Sequence, residues 1–251
     1  MGSSLYSLTK PTATGNISTC PSGSTFRTGA KQNLTNANGS TAATPVPANE
    51  IDSLSTGYVV AHPSFSGNFL TIFVVTKNTT TGGINVSAPK TRTVTSYSTP
   101  ANAPQPGTTR KLDTLDTRNT QGVLAFDPFR GEYGFWTQHT VFGGAGAQVR
   151  WYEINPVPAT PALLQSGVVS NSSGRFIFNG AISPDRKVLS GATSKFGDSM
   201  VLGYNSSSTT QRPDIRMVSK IRGGSQSGEV FVRNSNVNFM NDFTCSSGLC
   251  R

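Results

Sequence analysis

Val123-Leu-Ala-Phe-Asp-Pro-Phe-Arg-Gly-Glu-Tyr-Gly-Phe-Trp-Thr-Gln-His-Thr-Val141 is the stretch on which the fold turns. Val123-Leu-Ala-Phe126 and residues 133–141 are apolar and aromatic runs of strand length. Asp127-Pro-Phe-Arg-Gly131 between them has turn chemistry: Asp bonds nearby backbone, Pro presets φ, and Gly accepts positive φ. A further run, residues 149–154, follows Gly143-Gly-Ala-Gly146, and the Pro-rich residues 156–161 close the group.

The same pattern extends in both directions. Upstream, Tyr58-Val-Val-Ala61 and residues 69–76 read as strands, Asn78-Thr-Thr-Thr-Gly-Gly83 as a turn, and residues 84–96 as another β segment. Pro100-Ala-Asn-Ala-Pro-Gln-Pro-Gly107 suits neither a helix nor a central strand, so it connects sheet units. Downstream, residues 175–182, 199–204 and 215–220 form a third group, and residues 229–233 begin one more. Strand groups therefore recur about every 45–50 residues, the spacing of β-propeller blades. An all-β chain is expected: a β-propeller, in part, of about four to six blades. A β-sandwich of seven to nine strands is the alternative, as about that number would fit. Residues 1–50, rich in Ser, Thr, Asn, Gly and Ala, read as an arm or irregular strands, and residues 51–251 as the blades.

Composition agrees. Only 13% of the residues are charged, well short of a helical cytosolic enzyme, while turn-forming residues abound. The net charge is +9, yet the basic residues are scattered and never run three together. That pattern excludes a nucleic-acid stripe and leaves a basic surface, compatible with anionic glycans or a cell surface. No apolar stretch reaches the ~20 residues of a membrane-spanning helix. Of the three cysteines, Cys245 and Cys250 enclose Ser-Ser-Gly-Leu and suit a local disulfide; Cys20 is then free, or pairs with one of them. With only His62 and His139 beside these, zinc is not expected. No cofactor is implied, although hard oxygen donors would admit calcium.

Three stretches stand out together: Ala101-Asn-Ala-Pro-Gln-Pro-Gly with Leu112-Asp-Thr-Leu-Asp-Thr-Arg118; Trp136-Thr-Gln-His-Thr140 with Val149-Arg-Trp-Tyr-Glu-Ile154; and Val201-Leu-Gly-Tyr-Asn-Ser-Ser-Ser208 with Pro213-Asp-Ile-Arg216. They resemble a group of large, mostly uncharacterised secreted bacterial proteins with sialidase-like β-propeller domains. The resemblance covers about residues 56–251 and implies a secreted or cell-surface protein whose propeller is truncated at its C-terminal end.

Candidate chemistry follows from single clusters. In Arg150-Trp-Tyr-Glu153 strand alternation puts Arg150 and Tyr152 on one face, Trp151 and Glu153 on the other. Sialidases use a Tyr/Glu pair, and adjacent Tyr152 and Glu153 cannot form it. Asp113 and Asp116, with Arg118, form a candidate paired-carboxylate site, or else cap turns. His139 is a candidate base, or a buried hydrogen-bonded ring. Ser183-Pro-Asp185 echoes part of the sialidase Asp-box, a structural turn. Two functions are consistent with these features. The first is a secreted module that binds or scaffolds on polysaccharide, with Trp136, Trp151 and Tyr204 as stacking platforms and Arg118, Arg150 and Arg216 as polar contacts. The second is a glycosidase on an anionic sugar, with Asp113, Asp116, His139 and Glu153 as its chemistry. The two differ in whether Asp113, Asp116, Arg118, His139, Arg150 and Glu153 converge.

Overall fold

The computed structural model describes residues 3–8, 27–31, 33–50, 52, 54–185, 197–240 and 249–250. The strands, in chain order, are β1 (Leu5–Leu8), β2 (Arg27–Lys31), β3 (Ala43–Pro47), β4 (Asn49–Glu50), β5 (Thr56–His62), β6 (Ser66–Lys77), β7 (Ile84–Val86) and β8 (Lys90–Ser98). They continue as β9 (Ala103–Gln105), β10 (Thr108–Leu112), β11 (Asn119–Asp127), β12 (Glu132–Val141), β13 (Gln148–Asn155) and β14 (Ala162–Val169). The last are β15 (Phe176–Pro184), β16 (Met200–Ser207), β17 (Asp214–Lys220), β18 (Val230–Asn234) and β19 (Leu249–Cys250). The fold is all-β, with no helix among the described residues, and the described strands do not close a propeller ring.

Three antiparallel meanders dominate. The first sheet runs β3-β5-β6, with β7 and β8 sharing the far edge of the long β6. The central sheet runs β11-β12-β13-β14, with β4 added in parallel beside β11. The third runs β15-β16-β17-β18. Two small sheets remain: the β1–β2 pair, and β9–β10 joined by β19.

The β11–β12 turn forms as its sequence dictates. Asp127 Oδ1 accepts from the amides of Phe129 (2.8 Å) and Arg130 (3.2 Å), and Gly131 closes the turn at φ 71°. Alternation then sends side chains to two separate cores. Leu124, Phe135, Tyr152 and Ile154 leave one face of the central sheet and pack on Tyr58, Val60, Leu70, Ile72 and Tyr97 of the first. Val123, Trp136, Val149 and Trp151 leave the other face and pack on Ile177, Ile182, Leu202 and Tyr204 of the third. The central sheet is thus covered on both sides, which explains its near-continuous apolar runs.

Residues 33–50 do not form a detached arm. Leu34 and Ala42 are buried, β3 pairs with β5, and β4 pairs with β11. Strand pairing, rather than composition, decides the fate of this segment.

Candidate ligand groove and the predicted site residues

The described surface is hollowed beside the third sheet. A cleft of about 320 Å³ is lined by Leu112, Asp113, Phe178, Asn179, Asn205, Asn238 and Phe239. A second, about 290 Å³, shares Asn205, Pro213 and Ser235 with it and adds Asp214, Arg233 and Asn234. A third, about 640 Å³, shares Val237, Asn238 and Phe239 with the first and adds Thr108 and Arg212. Shared walls make one groove of the three.

Several local devices hold its sides. Gln105 bonds the backbone of Phe239 twice, donating from Nε2 to the carbonyl (3.1 Å) and accepting at Oε1 from the amide (2.7 Å). Its side chain therefore pins residues 235–240 as a strand would. Asn238 Nδ2 donates to Pro106 O (2.6 Å), and Arg212 Nη1 to Asn236 O (2.5 Å). On the opposite side β15 slips register between Phe178 and Ala181, and Asn179 occupies the extra position at φ 50°. Asn tolerates that conformation and a bulge turns its side chain toward the groove. Asn179 Nδ2 donates to Asp113 O (3.4 Å), while the buried Oδ1 atoms of Asn179 and Asn238 have no hydrogen-bond partner.

The charges in the groove are unequal. Asp214 is saturated: Ser206 Oγ, Gln211 Nε2 (2.6 Å) and Arg216 Nε (2.8 Å) all donate to it. Among the described residues Arg212 and Arg233 meet no carboxylate. Amides, hydroxyls and two uncompensated guanidinium groups thus surround an apolar floor of Leu112, Phe178 and Phe239. Sequence reasoning missed Asn179, Asn205, Arg212, Arg233, Asn238 and Phe239, with only the Asn179-Gly180 step inside a β segment as a hint of the bulge.

Of the predicted residues, Asp113 reaches this groove and Arg216 lies beneath it. Asp113 Oδ1 also caps the turn at the Leu115 amide (2.8 Å). Arg216 bonds Asp214, lies 3.5 Å from Glu229 and covers the Phe231 ring at 5.5 Å. Asp116 turns instead to Arg118 in a two-point pair at 2.5 and 2.6 Å. Those bonds hold the Asp116 carboxyl below its usual range and raise the Arg118 guanidinium.

His139 is buried between the first two sheets. Its Nδ1 lies 3.1 Å from Thr117 O and its Nε2 3.1 Å from the Tyr152 hydroxyl. Burial drives its pKa down to about 3, so the ring is neutral. It donates from Nδ1 and accepts from Tyr152. Arg150, on the same face as Tyr152 as alternation requires, donates from Nη1 to Thr95 O (2.9 Å) and Ser96 O (2.8 Å).

Glu153 leaves the other face and is buried against Arg130 (3.1 Å) and Gln165 (2.7 Å). Burial outweighs both partners and pushes its pKa up to about 7.

The expected stacking platforms are core residues. Trp136 and Trp151 stack with ring centroids 6.1 Å apart, and Tyr204 is buried with its hydroxyl donating to Glu229 (2.7 Å). No sugar reaches these rings, because they lie in the core between the central and third sheets. Asp185, in the Asp-box echo, accepts from the amides of Gly197 (2.7 Å) and Ser199 (3.0 Å), a backbone role. The expected Cys245–Cys250 pairing and Cys20 fall outside the described residues, as only the backbone of Cys250 is described. No group of three metal-ligating side chains gathers among the described residues.

Comparison with protein-family models, with curated proteins and with solved structures finds no match to this chain.

Proposed function

We propose that the chain is a secreted β-propeller-type module that binds anionic polysaccharide at a cell surface through the groove beside its third sheet. The observation that carries this reading is the groove itself. Its amide and hydroxyl groups match sugar hydroxyls, its apolar floor matches a pyranose face, and Arg212 and Arg233 meet no carboxylate among the described residues. An acidic sugar supplies the missing counter-charge. The net charge of +9 draws such a polymer to the surface.

The propeller reading rests on topology. The chain passes twice from the outermost strand of one meander to the first strand of the next: from β8, through β9 and β10, to β11, and from β14 to β15. The first strand β11 lies against both β3 and β15, as neighbouring inner blade strands do around an axis. A glycosidase on an anionic sugar requires at least two of these acidic or nucleophilic side chains to converge with arginines in one pocket. Instead Asp113 lines the groove, Asp116 pairs with Arg118, His139 and Arg150 lie between the first two sheets, and Glu153 faces the third. Binding is therefore favoured over hydrolysis.

Affinity electrophoresis through gels containing a polyuronate or a neutral glucan tests the reading. The protein should be retarded by the polyuronate, with the effect weakening as salt rises. Arg212→Ala with Arg233→Ala should weaken retention about tenfold or more, as loss of two charge-assisted contacts implies. Equal retention by both gels, or an unaffected double variant, would overturn it.

A further inference from the structure

Strands β3 and β5 meet across an irregularity far from the groove residues in sequence. Ala43 faces His62 and Val46 faces Val60, so Thr44 and Pro45 together oppose Ala61. Such an extra residue re-aims a side chain. Thr44 takes φ 39°, the left-handed region, which a β-branched residue adopts only when its surroundings hold it there. Thr44 is exposed, whereas His62 is buried at 1% exposure.

The two side chains meet. Thr44 Oγ1 lies 3.0 Å from His62 Nε2, and His62 Nδ1 lies 2.5 Å from the carbonyl oxygen of Pro63. A carbonyl can only accept, so Nδ1 carries the ring proton and Nε2 offers its lone pair to the Thr44 hydroxyl. Burial lowers the His62 pKa and keeps the ring neutral at neutral pH. Two charges act on it from the 113–118 turn: Asp116 favours the imidazolium and Arg118 opposes it.

We propose that Thr44 and His62 form a nucleophile–base pair that takes acyl groups from small esters at the protein surface. A hydroxyl within hydrogen-bond reach of a neutral imidazole, itself oriented through its other nitrogen, is the arrangement that activates a nucleophile. The Thr44 oxygen attacks the ester carbonyl as its proton passes to His62 Nε2. The C–O bond to the alcohol then breaks, and the departing alkoxide or phenoxide takes that proton. Threonine carries the acyl group, His62 is regenerated, and no redox partner is needed. Pro45 has no N–H, so the backbone donor that a nucleophile elbow takes from the following residue is missing here. That absence slows both steps alike; with a phenoxide leaving group acylation still outruns hydrolysis of the ordinary alkyl ester left on threonine, so the acyl-threonine accumulates.

The test is incubation with p-nitrophenyl acetate near neutral pH, followed by intact-mass measurement and peptide mapping. One acetyl group per chain is expected on Thr44, with a matching burst of p-nitrophenolate. Thr44→Val should abolish it, and His62→Gln should slow it about a hundredfold or more, the usual share of a general base. Thr44→Ser keeps the hydroxyl and should acylate at least as fast. Should His62→Gln fail to fold, the pH profile of the native chain decides. Acylation through His62 falls on acidification through the lowered imidazole pKa and is level above it, whereas uncatalysed attack keeps climbing with hydroxide. Acetyl groups on lysines alone, or a Thr44 adduct indifferent to His62→Gln or with a profile that never levels, would overturn the proposal.

Discussion

Glu153 sits in a cluster where, among the described residues, buried carboxylates outnumber the guanidinium groups that meet them. Asp127, Glu153 and Asp198 gather around Arg130 and Arg222, where the central and third sheets meet. Burial raises the Glu153 pKa from 4.5 to about 7 even though Arg130 and Gln165 pull it down, and one carboxylate oxygen stays unpartnered. The folded chain therefore holds this proton more tightly than the unfolded chain. Between pH 4.5 and 7 stability falls as pH rises, and above about 7 the loss is complete. Glu153→Gln removes the titrating group while keeping its shape. It should stabilise the protein by about 1–3 kcal/mol at pH 8 and by almost nothing at pH 4. Chemical melts of both proteins across that range read it directly, and a parallel shift at every pH would refute the assignment. Alternation in Arg150-Trp-Tyr-Glu153 made the face of Glu153 legible from sequence. Its partners Arg130, Gln165 and Asp198 come from three separate turns and strands, which no local pattern announces.

At the scale of the element, strands were legible wherever one face is buried, as in β16, whose burial alternates along Met200–Ser207. Irregular positions were not, because a bulge changes pairing without changing composition. Asn179 in β15 and Val232 in β18 are both extra residues: Arg233 faces Ile215, yet Phe231 faces Arg216. The β18 bulge matters because Val230, Phe231 and Val232 lie on the outer edge of the described sheet, and a kink there discourages another strand from pairing. Glycine has a comparable positional meaning in β14. A Cβ on Gly167 would sit 2.6 Å from the Trp151 indole, whereas one on Gly203 in β16 would meet nothing nearer than 4.0 Å. Gly167→Ala should cost about 1–3 kcal/mol through overpacking, and Gly203→Ala less than about 0.5 kcal/mol. Denaturant midpoints of the two variants form a matched pair; equal midpoints would show that the indole moves aside freely.

For the whole molecule, the β-rich meanders and their punctuation were readable in advance, but the layering and the groove were not. The groove draws on residues 105–113, 179, 205, 212 and 233–239, nearly all of types common throughout this chain, so they stand out only once folded. The layering assigns unequal roles to the sheets. The central sheet is packed broadly on both faces, while the third packs broadly on one, meets Ala103 and Leu112 through Phe178 on the other, and ends in the exposed β18. Trp136 and Trp151 fill the core between these two sheets and do not touch the core on the opposite face. Trp136→Ala should therefore cost about 3–5 kcal/mol, and the loss should fall unevenly. Native-state hydrogen exchange is expected to show β15–β18 losing protection first, because their docking rests on that core, while β5, β6 and β12 retain most of theirs. A uniform fall across all three sheets would instead mean that the stack unfolds as a single cooperative unit, with the groove and the Thr44–His62 pair lost together.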